Sequence, residues 1–328
     1  MLKYLEKSTI LQVIVLFVAV VLLWGGALLY PVPMPAPVSY GPLYEVLYNL
    51  SLPPLVGVIL AMLMVLAGGL MLNLMLANAG LVSQNSLLPA LLYILFMSAD
   101  ATTLTPTLIV GVLDIAFVSM LMLHGTLLAI PPSKICGAAV LVGICSLFYL
   151  PALSLLLTYL LVAVNYRLYN WREAMVMLLG LLAPYILLWT ILFMTGSLME
   201  NLQAITRGLQ VVHRTIGDHH ALSAFANLSL ALVLAASIFH LWNHLKERTV
   251  VWKKNAATVM LTAVTGTAML FYTQLFPVNL QFFALAFALC GTHLLLPERR
   301  RSIHGKRQWR EHINDILFIL IILAAILA

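Results

Sequence analysis

The sequence predicts an all-α, polytopic membrane protein of about eleven transmembrane helices. Of its 328 residues, 63% are hydrophobic and only 9% are charged, whereas soluble domains contain about 25% charged residues. Apolar runs of about 20 residues, the length that crosses a bilayer as a helix, recur along the whole chain. No polar stretch is long enough to form a soluble domain. We therefore expect residues 1–328 to form a single integral membrane domain.

Each predicted helix follows one of these apolar runs. Three runs are short for a membrane span, and Pro151 separates two of them, which form either a hairpin of tilted half-helices or one broken element. Prolines inside the runs are tolerated because neighbouring helices satisfy the freed backbone groups. The predicted helices lie near residues 9–30, 54–78, 86–99, 105–124, 135–150, 152–166, 174–195, 222–243, 256–274, 279–297 and 314–328.

Lysine and arginine residues predict the orientation of these helices. With the N-terminus inside, only Arg207 and Arg214 of the 17 basic residues fall in an outer segment. Basic residues accumulate on the cytoplasmic side of membrane proteins. One helix more or fewer would distribute them over both faces. The pattern therefore supports the helix count, with the N-terminus inside and the C-terminus outside.

Composition and motifs exclude several classes of function. The three cysteines, Cys136, Cys145 and Cys290, lie in apolar runs and are interpreted as packing residues. No Walker A, Rossmann glycine, CxxC, HExxH or GxSxG motif occurs, which disfavours ATP-driven transport and soluble-type hydrolysis. No cofactor is predicted. The net charge of +6 reflects basic inner loops, so the expected partner is membrane lipid and not nucleic acid.

One outer segment, "ENLQAITRGLQVVHRTIGDHH", is longer than a turn between two spans. Polar residues recur in it at spacings of 3, 4, 3 and 4 from Glu200 to Arg214, and apolar residues fall between them. This periodicity predicts an outer amphipathic helix near 199–216 with Arg207 and Arg214 on one face.

Two roles are open to this helix. It either lies at headgroup level with its arginines on lipid phosphates, or it lines an outer cavity that binds an anionic ligand such as a polyprenyl-phosphate carrier. A guanidinium suits phosphate because its planar fork donates two parallel hydrogen bonds. The histidines lack a zinc-ligand spacing, so no metal site is predicted. The candidate substrate-binding residues are Arg207, Arg214, His213, His219 and His220.

Two acidic residues of the outer face are candidate catalytic groups. Glu45 lies in the first outer loop beside Tyr44 and Tyr48, where it either belongs to an interfacial aromatic belt or acts as a general base. Asp100 follows the third helix, where Asp100 or Thr102 caps the fourth helix or Asp100 serves as the base. Glu45 and Asp100 are therefore the predicted catalytic residues of an enzyme.

Asp114 is the candidate polar site inside the membrane. It lies nine residues into the fourth predicted helix, and no Lys or Arg falls within any predicted helix. A carboxylate at that depth is costly and by default faces a cavity or a partner. It is either a proton or cation site, or it forms a helix–helix hydrogen bond with Ser119 or with Thr or Asn groups of neighbouring helices.

The run "MLNLMLANAGLVSQNSLLPALLYILFMS", with Asn85, Leu88, Pro89 and Tyr93, resembles a family of polytopic membrane proteins from Bacteroidota. That resemblance covers most of the chain and implies the helix pattern, but no activity. More loosely, the architecture is similar to GT-C-type glycosyltransferases and O-antigen polymerases, which act on polyprenyl-linked sugars. Those enzymes have an outer active site with an acidic residue in the first outer loop, and only Glu45 and Asp100 match it here. No DxD or ExD pair occurs.

Two functions follow as expectations for a multi-pass protein of the bacterial inner membrane. The first is a glycosyltransferase-like enzyme of cell-envelope glycan assembly, which binds a polyprenyl-phosphate-linked substrate at the outer face. The second is a non-catalytic membrane subunit, or a transporter of a small solute or ion, in which Asp114 is the essential polar residue.

Overall fold

The computed structural model describes residues 9–36, 41–82, 86–98, 103–123, 130–166, 171–196, 199, 249–273 and 283–295. Within these ranges the secondary structure is helical, and no strand is present. The predicted all-α class is therefore confirmed. The predicted helices near 222–243 and 314–328, and the outer amphipathic helix near 199–216, lie outside the described ranges apart from Met199.

The described helices follow the apolar runs closely. In chain order they are α1 (Thr9–Leu23), α2 (Gly25–Leu29), α3 (Pro42–Asn49), α4 (Pro54–Asn78), α5 (Leu88–Met97), α6 (Pro106–Leu121), α7 (Pro132–Phe148), a 3-10 turn (Leu150–Ser154), α8 (Leu155–Tyr166), α9 (Trp171–Thr195), α10 (Val250–Thr273) and α11 (Ala284–Leu295).

Proline places the start of several helices. Pro42, Pro54, Pro89, Pro106 and Pro132 all occupy the first or second position of a helix. The missing N–H of proline has no intrahelical partner there, and its fixed φ already suits the helix. These residues therefore define where the helices begin without weakening them.

Three local features differ from the predicted pattern. The first predicted helix is divided at Trp24, whose indole N–H donates to the Ser98 hydroxyl at 3.0 Å. The first outer loop contains α3, which was not predicted. The connection at Pro151 is a 3-10 turn that leads directly into α8, so α7 and α8 are two separate elements.

Two of the described helices, Pro54–Asn78 and Trp171–Met194, are long and apolar enough to cross a membrane, with mean hydropathies of 2.7 and 2.3. Shorter apolar helices of 10–17 residues also occur within the described ranges. Large apolar side chains of α9 are exposed, among them Leu179, Leu187 and Phe193 at 64%, 67% and 75%. An apolar face of this extent on a soluble monomer would be unusual.

The helices pack into one bundle around a common core. α7 lies between α6 and α9, while α4 packs on α5 and α6. On the other side, α11 packs on α5 and α10, and α10 packs on α8. α6 therefore has α4 on one side and α7 on the other, and this position buries the middle of α6.

Candidate functional site

Asp114 is the most unusual side chain of this bundle. It lies on α6 and is only 1% exposed. Neither carboxylate oxygen has a hydrogen-bond partner among the residues that the structure describes. Buried polar groups in proteins are almost always hydrogen-bonded, and buried charges are paired. An unsatisfied carboxyl group at the centre of an apolar bundle therefore marks a candidate site.

The surroundings of Asp114 include residues of two neighbouring helices. Tyr93 of α5 and Cys145 of α7 are both fully buried and lie close enough to interact electrostatically with its carboxylate. The Tyr93 hydroxyl donates to the backbone carbonyl of Gly111 at 3.5 Å. Gly111 precedes Asp114 by one turn, so both residues lie on the same face of α6. The phenol therefore enters the helix interface beside the carboxyl group.

Two glycines allow this close packing. A Cβ atom at Gly68 of α4 would lie 3.1 Å from both Cε1 and the hydroxyl oxygen of Tyr93. A Cβ atom at Gly111 would lie 2.9 Å from Cε of Met97. Close approach of helix backbones at small residues is the usual way in which membrane helices pack. Here the two glycines leave room for the Tyr93 phenol to reach the Gly111 carbonyl, on the face of α6 that also carries Asp114.

Of the alternatives for Asp114, a hydrogen bond with Ser119 is not formed, because neither carboxyl oxygen has a described partner. The Ser119 hydroxyl donates to the Ala116 carbonyl of its own helix at 2.7 Å. The expectation that Asp100 or Thr102 caps this helix is also not met, because Thr105 is the N-cap and accepts from the Leu108 N–H at 3.3 Å. A serine or threonine inside a helix often satisfies its hydroxyl on a carbonyl three or four residues earlier, and Ser119 does so.

Asn255 is a buried polar residue whose importance the sequence did not suggest. Its amide N–H donates to the Leu123 carbonyl at 2.9 Å, and its carbonyl oxygen accepts from the Leu123 N–H at 2.9 Å. The same amide reaches the Ala79 carbonyl at 3.5 Å, and the Tyr166 hydroxyl donates to Asn255 at 3.3 Å. One side chain of α10 thus joins the ends of α4, α6 and α8.

A stripe of hydroxyl groups continues along the same face of α10. Thr258, Thr262 and Thr265 are 0%, 1% and 1% exposed, and each hydroxyl donates to a carbonyl of its own helix. Thr265 also accepts from Thr158 of α8 at 3.1 Å. These groups are satisfied within the bundle, so their role is helix packing.

Glu45, the first predicted catalytic residue, lies on the exposed face of α3. The opposite face of this short helix is fixed to the bundle, since the Gly41 N–H donates to the Phe148 carbonyl at 3.0 Å and Tyr44 is fully buried. The Tyr44 hydroxyl donates to the Pro35 carbonyl at 2.8 Å. α3 therefore holds Glu45 outward on a rigid support.

The other predicted residues of the outer face lie outside the described part of the chain. These are the second predicted catalytic residue, Asp100, and the predicted substrate-binding residues, Arg207, His213, Arg214, His219 and His220. Their convergence with Glu45 on one cavity stays a prediction. Among the described residues, no group of three His, Cys, Asp or Glu side chains could hold a metal ion.

Comparison with known proteins adds no family to this description: no protein-family model, curated protein or solved structure matches the chain.

Proposed function

We propose that this chain is a multi-pass protein of the bacterial inner membrane in which Asp114 takes up and releases a proton, as part of the coupled transport of a small solute. The observation that carries the proposal is the state of the Asp114 carboxyl group, 1% exposed with no described hydrogen-bond partner for either oxygen. Ionisable residues with this placement in membrane helices mark ion pathways and proton relays.

Energetics favour a functional role for Asp114 over a structural one. A buried polar group without a hydrogen bond destabilises a protein by about 1–3 kcal/mol, and a buried charge by more. A structural carboxyl group would recover this free energy through partners, as Asn255 does through Leu123. Asp114 recovers none of this free energy through hydrogen bonds to the described residues. A carboxyl group at this position is therefore best explained by its capacity to bind and release a proton.

The tight packing around Asp114 favours a proton over a metal cation. Hard cations take six or more oxygen ligands in most protein sites. On the face of α6 that carries Asp114, the Tyr93 hydroxyl and the Gly111 carbonyl already contact each other. A Cβ atom at Gly68 would lie 3.1 Å from the Tyr93 hydroxyl oxygen, and one at Gly111 would lie 2.9 Å from Cε of Met97, so little empty space adjoins either glycine. A proton needs no additional space.

The surface of the bundle supports a location in lipid. Exposed large apolar side chains run along one face of α1, including Ile14, Phe17 and Leu22 at 56%, 60% and 75%. Leu63 and Leu74 of α4 are 57% and 63% exposed. Membrane helices present such side chains to lipid tails, whereas water would make them a liability to aggregation.

Infrared spectroscopy can test the proton site directly. A pH-difference spectrum of the purified protein between about pH 9 and about pH 5, the range in which buried carboxyl groups titrate, should contain the carbonyl band of a protonated carboxylic acid. We expect Asp114→Asn to remove this band and Glu45→Gln, which changes an exposed carboxylate, to leave it intact. A band that survives Asp114→Asn, or a spectrum without one, would overturn the proposal.

A second candidate function is the glycosyltransferase-like enzyme of envelope glycan assembly, with a polyprenyl-phosphate-linked substrate. The observation that favours it is the outward position of Glu45 on the anchored helix α3. In that case Arg207→Ala and Arg214→Ala should abolish an envelope glycan without lowering protein abundance, and Asp114→Asn should leave the glycan unchanged. Normal glycan in both arginine variants excludes this candidate.

A further inference from the structure

We infer that Tyr93 is the positioning residue of the Asp114 site: its hydroxyl group donates to the Gly111 carbonyl when Asp114 is protonated and to the Asp114 carboxylate when Asp114 is ionised. This role depends on the proton site proposed above. It would make the contact between Tyr93 and α6 sensitive to the state of one carboxyl group.

The present hydrogen bond of Tyr93 is a weak one. Its 3.5 Å length lies beyond the usual range for a hydroxyl donor. The Gly111 carbonyl also faces along α6, where it is the regular acceptor for the backbone N–H four residues later. A fully buried phenol therefore shares an acceptor that the helix already uses. An ionised carboxylate nearby is the stronger acceptor, since charge-assisted bonds are shorter and about twice as strong.

Helix geometry places the two acceptors side by side. Gly111 and Asp114 are three residues apart and so lie on one face of α6. Side chains on a helix lean toward its N-terminus, which directs the Asp114 carboxyl group back toward the turn that contains Gly111. The Tyr93 hydroxyl already contacts the turn of α6 that precedes Asp114, through the Gly111 carbonyl. A rotation about the Tyr93 side-chain bonds then transfers the hydrogen bond between acceptors without a movement of the helices.

Other charged or titratable groups do not compete for this role. α4 carries no titratable side chain, and Cys145 is the group that α7 presents to the carboxylate. Lys134 lies in the first turn of α7. Lys253 and Lys254 of α10 adjoin Asn255, which binds Leu123 beyond the C-terminal end of α6, about two helical turns from Asp114. On α11, which packs on α5, Cys290 donates to Met260 at 3.4 Å and the His293 ring contacts Trp252.

Gly68 is the residue that admits the phenol. Its missing side chain leaves space for the Tyr93 hydroxyl, which a methyl group at that position would contact at 3.1 Å. Gly137 offers a matched control on α7, because a methyl group there would meet only Sδ of Met120 at an ordinary 3.7 Å. Tyr159 of α8, 6% exposed, offers a buried tyrosine as a second control.

The test uses the tyrosine bands of the same pH-difference infrared spectrum. In the natural protein, phenol bands should change together with the Asp114 carboxyl band. Tyr93→Phe should abolish the phenol change and keep the carboxyl band, and Gly68→Ala should reduce the phenol change by more than half. Tyr159→Phe and Gly137→Ala should leave both signals intact.

Each outcome separates the two proposals. A phenol change that persists in Tyr93→Phe, with the carboxyl band present, overturns the role of Tyr93 and leaves the proton site standing. Absence of the carboxyl band in the natural protein overturns the proton site, and the role of Tyr93 with it. Loss of the phenol change in Tyr159→Phe also contradicts the inference, because it assigns the signal to another tyrosine.

Discussion

Asp114 and Asn255 are two buried polar residues in one bundle, and they differ in whether their polar atoms have hydrogen-bond partners. Both are almost fully inaccessible, at 1% and 0% exposure. Asn255 engages both backbone groups of Leu123 and also Tyr166, whereas neither oxygen of Asp114 has a described partner. The two residues therefore contribute to stability with opposite signs.

The difference separates a structural polar residue from a functional one. A buried side chain whose polar atoms all form hydrogen bonds to other helices fixes the positions of those helices. Its removal leaves several buried groups without a hydrogen bond. A side chain that destabilises the fold is retained when function needs it, and such residues concentrate at working sites. The free energies of unfolding of variants at Asn255 and Asp114 can therefore confirm or refute that Asn255 is structural and Asp114 functional.

The largest effect is expected at Asn255. Asn255→Ala leaves the N–H and carbonyl of Leu123 without their partner and removes one of the two partners of the Tyr166 hydroxyl, which should lower the free energy of unfolding by about 3 kcal/mol. Denaturant titration in detergent micelles, followed by tryptophan fluorescence, measures the change. A loss below about 0.5 kcal/mol, the range of ordinary surface substitutions, would show that the amide does not join the helices.

A smaller effect of opposite sign is expected at Asp114. Asp114→Leu replaces an unsatisfied carboxyl group by an apolar side chain and should raise the free energy of unfolding by about 1 kcal/mol. The same titration measures it. A substitution that instead destabilises the protein by as much as Asn255→Ala would reveal a partner for Asp114 and remove the contrast between the two residues.

The smallest effect is expected at Thr262, which serves as the control. Among the described residues, its hydroxyl donates to the Val259 carbonyl of its own helix, a bond that the helix does not require. Thr262→Val keeps the shape of the side chain and should change the free energy of unfolding by less than about 0.5 kcal/mol. A loss comparable to that of Asn255→Ala would mean that the whole hydroxyl stripe of α10 joins helices.

The sequence predicted the all-α class and the positions of most of the described helices, apart from α3 and the division at Trp24, because apolar runs and prolines determine them locally. It also identified Asp114, since an acidic residue in an apolar run stands out. Asn255 was missed because it follows Lys253 and Lys254 and resembles a loop residue; only contacts with residues as distant as Ala79 reveal its role. The division at Trp24 depends in the same way on a distant partner, Ser98.

The helix in the first outer loop shows the same limit. α3 packs on the C-terminal end of α7, where Gly41 lies against the backbone of Leu147 so closely that no side chain would fit. This contact joins segments that are about a hundred residues apart in sequence, and periodicity within eight residues cannot predict it. The local pattern of apolar residues and prolines predicts most of the helices. Contacts between helices that are distant in sequence decide which buried polar groups form hydrogen bonds.

Proton uptake by the purified protein tests the central claim most directly. When the pH falls from about pH 9 to about pH 5, the range in which buried carboxyl groups titrate, the natural protein should bind one proton per chain more than Asp114→Asn. An indicator dye in weakly buffered solution counts the protons, and Glu45→Gln provides the control for loss of an exposed carboxyl group. Identical uptake by the natural protein and Asp114→Asn would contradict the assignment of Asp114 as the proton site.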